Sequence, residues 1–178
     1  MAARSNTAAS RAAAEQEKQE AAEQKKAIVP KEVDIHQYIP VKNGFHGLLV
    51  YISKRTGEEF QWESFGDEQE MELQELKNAK SSDKAFFQNN WFLFDEEYAW
   101  DIDYLGMRQF YKNALSIDGF DDILKRKPEE IKKEVAAMSS GQKASLRYHV
   151  IEKIANDEID SRKVIAALEE ALGVQLVE

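Results

Sequence analysis

The 178-residue chain is acidic, with 33 Asp and Glu residues against 24 Lys and Arg residues, a formal net charge of −9, and no cysteine. This length suits one domain of ordinary size with an appendage. The lack of cysteine excludes disulfides and thiolate metal sites. No apolar run approaches the roughly 20 residues that span a bilayer, and no apolar signal segment opens the chain. We therefore expect no membrane partner and no export by a signal peptide.

Charge is distributed unevenly along the chain. Residues 58–104 hold fourteen acidic residues against three lysines, a net charge of −11, whereas residues 1–30 carry a net charge of +1. An acidic surface repels nucleic-acid phosphates, so we expect no direct nucleic-acid contact by the globular part. The simplest role of such a surface is solubility.

Residues 1–37 are predicted to form an arm and a linker. Residues 1–30 are rich in Ala, Glu, Gln, Lys and Arg, which favour helix. However, alanine is the largest apolar side chain between Met1 and Ile28. A helix without an apolar stripe buries too little to offset its ordering entropy. We expect an extended or helical Ala-rich arm that needs a partner, followed by an extended linker bracketed by Pro30 and Pro40.

Residues 38–115 are predicted to combine a β-hairpin with helices. Residues 44–52 are rich in β-formers, residues 53–57 read Ser-Lys-Arg-Thr-Gly as a turn, and the next strand places Phe60 and Trp62 on one face. Two strands are marginal alone, so the hairpin must pack on helices or on another chain.

The rest of this segment is predicted from charge and apolar spacing. The pattern predicts a helix over 67–80, a short helix and then a strand ending at 94, an acidic connector over 95–103, and a helix over 102–115. Thirteen of the 18 aromatic residues fall between Phe60 and Tyr111, so the core should form here.

Residues 116–178 are predicted to form a small helical bundle. After a turn at 120–125, Pro128 suits a first helical position, and Ser139 with Gln142 has the spacing of a capping box. The last helix is predicted to begin after a cap at residues 160–161 and to stop at Gly173. The predicted fold class is therefore α+β and mainly α.

Catalytic and metal-binding motifs are missing from the sequence. The histidines are His36, His46 and His149. None has a histidine at i+4 or an HExxH context, so structural or solvated roles fit them best. A calcium-loop pattern starting at Asp101 fails because Leu105 occupies its third acidic position. Without a phosphate-binding glycine loop or a nucleophile motif, we predict no enzyme, no cofactor, no metal and no small-molecule substrate.

The segment 86–100 holds seven aromatic residues in fifteen. The simpler interpretation is that these rings form the core. The alternative is an exposed apolar anchor ringed by carboxylates, which is the usual anatomy of a protein-binding patch. The candidate contact residues are Trp91, Phe92, Phe94, Tyr98 and Trp100.

The order of elements from Ile39 onward is distinctive. Ile-Pro-Val-Lys-Asn at 39–43 precedes a Leu-Leu-Val-Tyr strand, a glycine turn, an aromatic-ended strand and an acidic helix. The helical remainder contains Asp-Glu-Ile-Asp-Ser-Arg-Lys-Val-Ile at 157–165 and Leu-Gly-Val-Gln-Leu at 172–176. Over residues 39–178 this order resembles small proteins of tailed bacteriophages that infect Gram-positive hosts. The similarity carries no catalytic signature, so it assigns no functional residue.

The resemblance implies a structural or assembly protein of a phage particle, in the capsid, neck or tail. Its partners would be other viral structural proteins in a multi-copy assembly, and it would be found in the virion or in the host cytoplasm during assembly. An arm that folds on binding would add contact area while its ordering cost limits affinity. The alternative is a non-structural viral protein that binds and inhibits a host factor, with the −11 segment imitating nucleic-acid charge.

Overall fold

The computed structural model describes residues 32–177, and the arm predicted for residues 1–30 lies outside them. Within the described residues, five strands form two antiparallel sheets. The strands are β1 (Tyr38–Asn43), β2 (Leu49–Ile52), β3 (Glu59–Trp62), β4 (Glu68–Glu72) and β5 (Phe92–Leu93). One sheet has the order β4-β1-β5, and the other is the predicted hairpin of β2 and β3.

Helices make up most of the remaining structure. They are α1 (Leu73–Ser82), α2 (Ala85–Gln88), α3 (Ala99–Tyr104), α4 (Arg108–Tyr111), α5 (Gly119–Asp122), α6 (Pro128–Ala137), α7 (Ser140–Ala155) and α8 (Arg162–Leu172), with 3-10 turns at Glu96–Tyr98 and Ile123–Lys125. The predicted α+β, mainly α class is confirmed. Pro128 is the first residue of α6, and Gly173 ends α8 in the left-handed conformation, both as predicted.

The linker predicted between Pro30 and Pro40 ends before Pro40, because β1 begins at Tyr38 and Pro40 lies inside this strand. β1 is the central strand, where a proline removes a ladder hydrogen bond. Pro40 faces Glu70 of β4, while β5 pairs only with Lys42 and Asn43. The side of β1 opposite β4 therefore has no strand partner beside Pro40, and the missing N–H costs nothing there.

The helix predicted over 67–80 is wrong in its first half. Residues Glu68–Glu72 form β4, and α1 begins only at Leu73. Met71 is fully buried and pairs with Ile39 of β1. Because strand preference depends on what the side chains pack against, pairing with β1 overrides the helix propensity of the glutamates.

The connector over 95–103 and the helix over 102–115 are also corrected. Residues 96–104 form a 3-10 turn and α3, and α4 starts after a break at Gly106, whose φ is +68°. Both Leu105 and Met107 are buried on either side of this glycine. The regular apolar spacing therefore comes from two short helices joined by a left-handed glycine.

The buried side chains form two clusters. The first is built from the strands, α1, α2 and the α3–α4 turn, with Tyr51, Trp62, Phe87 and Phe92 as its largest members. The second lies among α5 to α8 and includes Phe120, Ile131, Val135, Leu146, Val150 and Leu168. They take their residues from the predicted segments 38–115 and 116–178, except that Val33 packs on the first cluster and that Phe65 and Leu115 pack on the second.

The start of α7 joins the two clusters. The Ser139 side chain accepts a hydrogen bond from the Gln142 backbone N–H, as predicted, but the Gln142 side chain does not complete the capping box. Instead, it accepts from the backbone N–H of Leu115 at 2.9 Å and donates to the Leu115 carbonyl at 2.8 Å. Gln142 is fully buried, so its amide fixes the chain between α4 and α5 onto α7.

Candidate protein-contact surface

The aromatic segment predicted as a contact patch lies mainly against the first cluster. Phe92 is fully buried in β5, with its ring packed on Trp62, Phe86 and Phe87. Phe92 is therefore a core residue and cannot contribute to a surface contact in this fold. Phe92 is buried because β5 pairs with the end of β1, which places the Phe92 ring against Tyr51 and Trp62 of the hairpin.

The other four candidates are half-buried side chains on the wall of the same cluster. They are Trp91, Phe94, Tyr98 and Trp100. The Trp91 ring packs edge-on against Phe45 and Phe86, with centroids 6.0 and 5.6 Å apart. The interpretation of these rings as core explains most of their area, and a contact role for the part that stays exposed remains a prediction.

A different apolar surface is more exposed, and it lies on β2 and on Leu48, the residue just before this strand. The side chains of Leu48, Val50 and Ile52 are 56%, 37% and 55% exposed, while those of Leu49 and Tyr51 between them are buried. Because successive strand residues point to opposite faces, these three form one aliphatic row, which we call the β2 row. Rows of large aliphatic side chains on one open strand face are uncommon outside contact surfaces.

The β2 row is held outward by what Tyr51 does on the inner face. The Tyr51 hydroxyl donates to the Glu75 carboxylate of α1 at 2.7 Å, and the Arg55 guanidinium lies 3.1 Å from the same carboxylate. Asn78 donates to it at 2.9 Å. These bonds attach the hairpin to α1. A rotation of β2 about its own axis that buried Val50 would therefore break them.

The hydrogen-bonded group of Tyr51 and Glu75 anchors the hairpin on α1, and its pKa values follow from the same contacts. Burial, together with the hydrogen bond to Glu75, raises the pKa of Tyr51. Burial would also raise the pKa of Glu75, but hydrogen bonds from Asn78, Tyr51 and Arg55 hold that pKa below its usual value. The carboxylate therefore remains ionised, and the anchor keeps its hydrogen bonds near neutral pH.

Beside the β2 row, β3 presents a polar and acidic row on the same face. Val50 lies opposite Gln61 and Ile52 lies opposite Glu59, and both partners are exposed. The two cations that follow β2 have partners of their own, because Lys54 lies 2.7 Å from Asp83 and Arg55 is bonded to Glu75. The face is therefore aliphatic on β2 and negative on β3.

Backbone bonding leaves the outer edge of β2 open in the part of the chain that the structure describes. The Ser53 N–H donates to the Glu58 carbonyl at 2.8 Å, so these two residues are a hydrogen-bonded pair. Such pairs alternate with non-hydrogen-bonded pairs along an antiparallel ladder. The N–H and C=O groups of Val50 and Ile52 therefore point away from β3, and none of them bonds to another described residue.

The outer edge of β3 is partly bonded, in contrast. The Gln61 carbonyl accepts a hydrogen bond from the Gln69 side chain of β4 at 3.0 Å, and the Trp62 indole N–H donates to the Val41 carbonyl of β1 at 2.8 Å. The hairpin is thus joined to the three-stranded sheet through β3. Of its two outer edges, that of β2 has no hydrogen bond to another residue among 32–177.

Sequence reasoning missed the β2 row for a physical reason. The run Leu-Leu-Val-Tyr-Ile at 48–52 is apolar throughout, so it has no alternation to show which side chains are buried. The only signal was cross-strand: Phe60 and Trp62 were predicted to share one face, which leaves Glu59 and Gln61 on the other. Residues directly opposite these on β2 had to be the exposed ones.

Two of the three histidines, His46 and His149, lie where the two clusters meet, whereas His36 precedes β1 and lies 3.7 Å from Glu72. His46 Nε2 is 3.0 Å from Glu152, and His149 Nε2 is 2.8 Å from Asp121. A shallow cavity of about 370 Å³ between them is lined by His46, Glu63, Phe65, His149 and Glu152. Both histidines thus join the two clusters by side-chain contacts, and the absence of a catalytic role for them remains a prediction.

One buried carboxylate has no partner among the described residues. Asp101 in the first turn of α3 is fully buried, and neither of its carboxylate oxygens accepts a hydrogen bond. Burial raises the pKa of Asp101 to about 7. A buried charge without a partner is costly, so this residue lowers stability at neutral pH and contributes nothing to the surface.

Neither a metal-binding group of side chains nor a membrane-spanning helix occurs among the described residues. No three His, Cys, Asp or Glu side chains of residues 32–177 come together in a way that could hold a metal ion. None of the described helices is long and apolar enough to cross a membrane. Comparisons with protein-family models, with curated proteins and with solved structures found no match to this chain.

Proposed function

We propose that this chain is a structural or assembly protein of a tailed bacteriophage and acts by contact with other proteins, without catalysis of its own. The observation that supports a contact role is the β2 row, an aliphatic stripe on a strand whose outer edge is open among the described residues. The viral context is supported by the resemblance of residues 39–178 to small phage proteins. On this proposal the chain is a component of the virion or of an assembly intermediate.

The chemistry of the row limits what it can contact. Leu48, Val50 and Ile52 offer dispersion contacts and no hydrogen-bonding side chain, so they cannot orient a small polar ligand. The open edge offers backbone N–H and C=O groups, which are matched by the backbone of another strand. A protein partner uses both features at once.

The first test is the presence of the chain in purified particles. Particles produced by the phage that encodes it are purified by density gradient and quantified by mass spectrometry. The proposal predicts the chain in stoichiometric, multi-copy amounts that survive washing. Absence from particles, combined with production early in infection, would reject it.

The alternative, a non-structural protein that inhibits a host factor, is supported by the net charge of −11 over residues 58–104. Several of those carboxylates already have cationic partners within the chain: Lys42 with Asp95, Lys54 with Asp83, Arg55 with Glu75 and Arg108 with Asp103. These pairs reduce the negative charge available to a basic groove, so the contact role is preferred. Salt-sensitive binding to a basic host protein would favour the alternative.

A further inference from the structure

We propose that the partner of the open β2 edge is a second copy of this chain, and that two β2 strands pair antiparallel to make one four-stranded sheet. This inference rests on the proposed function in taking the β2 row as a contact surface. Beyond the proposed function, it names the partner, the arrangement of the two strands and the residues that pair.

The first argument is that β2 lacks the features that keep edge strands apart. Natural proteins block open edges with lysine, proline, bulges or inward-pointing charges. Leu49–Ile52 contains none of these, and the nearest cations, Lys54 and Arg55, are held by Asp83 and Glu75. Within residues 32–177, the side chains of this edge therefore include none of the usual obstacles to pairing.

The second argument concerns register. The backbone groups of Val50 and Ile52 point to the open edge, so a two-fold axis at Val50 makes Val50 face its own copy. The same axis places Leu48 opposite Ile52 of the second copy. Every exposed aliphatic side chain of the β2 row then has an aliphatic cross-strand neighbour, which is a favourable pairing on a sheet face.

The third argument is charge. The polar and acidic row of β3, which consists of Gln61 and Glu59, lies on the side of the hairpin away from the open edge. In the four-stranded sheet the two β3 strands are three strand spacings apart, about 14 Å. This exceeds the screening length of about 8 Å at physiological salt, so the acidic rows oppose pairing only weakly.

The contact is small, and this determines how it should behave. A strand edge and three side chains bury well under the roughly 800 Å² per partner of a stable interface. The free dimer should therefore be weak and concentration-dependent, and it would be reinforced in a particle, where many copies raise the effective concentration. Because each chain carries a net charge of −9, added salt should strengthen the dimer.

The test uses the full-length chain, its mass measured by light scattering after size-exclusion chromatography over a range of concentrations. The wild type should shift toward twice its 20.4 kDa mass as concentration rises, and more so in high salt. Val50→Pro removes an N–H that points to the open edge and breaks no hydrogen bond within the hairpin, so it should keep the fold and weaken dimerisation at least about tenfold, which is about 1.4 kcal/mol. Val50→Thr keeps that N–H and should retain most of the dimer.

Cysteine cross-linking tests the register, because the chain has no cysteine of its own. Val50→Cys should form a disulfide-linked dimer under mild oxidation, since Cα atoms in a hydrogen-bonded pair are about 5.5 Å apart. Gln61→Cys is the matched control, exposed directly across the hairpin. Its two copies would lie about 14 Å apart, too far to link.

Four results would overturn the inference. They are a monomer at every concentration, a dimer that Val50→Pro leaves intact, equal loss in Val50→Thr and Val50→Pro, and a dimer that salt weakens. Equal loss would mean that the contact uses the face of the strand and not its edge. A chain that is monomeric at every concentration but enters particles would reject this inference and leave the proposed function standing. A chain that dimerises as described but is absent from particles would support this inference and reject the proposed function.

Discussion

Replacing Asp101 tests how burial without a partner affects stability. Because the folded state raises the pKa of Asp101 from 3.8 to about 7, it binds a proton more tightly than the unfolded chain does. Stability is therefore lost as pH rises from about 4 through 7, and the loss is complete above 7. At about 1.4 kcal/mol per pKa unit, the loss in the free energy of unfolding reaches about 4 kcal/mol at pH 8. Less than about 2 kcal/mol of this loss is already present at pH 5.

The change Asp101→Asn keeps the shape of the side chain and removes its charge. We expect the variant to be more stable than the wild type at pH 8, and the difference in unfolding free energy to grow by roughly 2–3 kcal/mol between pH 5 and pH 8. Urea unfolding followed by circular dichroism at several pH values measures this, since a change of that size is a large part of typical stability.

The matched control is Glu97→Gln, an exposed carboxylate in the 3-10 turn just before α3. It should change stability little and equally at both pH values, because an exposed charge is screened by water. A constant difference between Asp101→Asn and the wild type across this pH range would refute the reasoning. It would mean that Asp101 finds a partner or water that stabilises its charge.

Three further changes test the junction and the arm. Gln142→Leu leaves both backbone groups of Leu115 without partners and should cost about 2 kcal/mol or more in urea unfolding; a neutral result would contradict the bracing role. Gly141→Ala places a Cβ 2.4 Å from the Asn89 carbonyl oxygen, so the melting temperature of the variant should fall, with a loss of about 1–3 kcal/mol in unfolding free energy. An unchanged melting temperature would contradict close packing of Gly141 against Asn89. Deleting residues 1–30 should leave thermal melting intact but reduce incorporation into particles, and normal incorporation would count against the arm.

The fold class and the C-terminal helices could be predicted because their signals are local. Pro128 and Gly173 act on the residues beside them through φ and a missing N–H. The strand at Glu68–Glu72 could not be predicted in this way. Its residues favour helix, and only the burial of Met71 against β1, some thirty residues earlier, makes them a strand.

The surface was harder to predict than the fold. The aromatic segment was singled out because large rings dominate contact surfaces, but the same rings also dominate cores, and Phe92 is in the core. The β2 row contains smaller side chains whose exposure depends on Tyr51 bonding to Glu75 of α1. No property of residues 48–52 alone indicates which face that bond buries.

The β2 row as a contact surface is tested most directly by incorporation of surface variants into particles. Leu48→Thr combined with Ile52→Thr removes exposed aliphatic area and places β-branched threonine, which suits a strand, at both positions. Tyr38→Thr, at 60% exposure on the other sheet, is the matched control. Quantitative mass spectrometry of purified particles should find the double variant depleted severalfold and Tyr38→Thr at the wild-type level, with melting unchanged in both. Equal incorporation of the two variants would contradict a contact role for this strand.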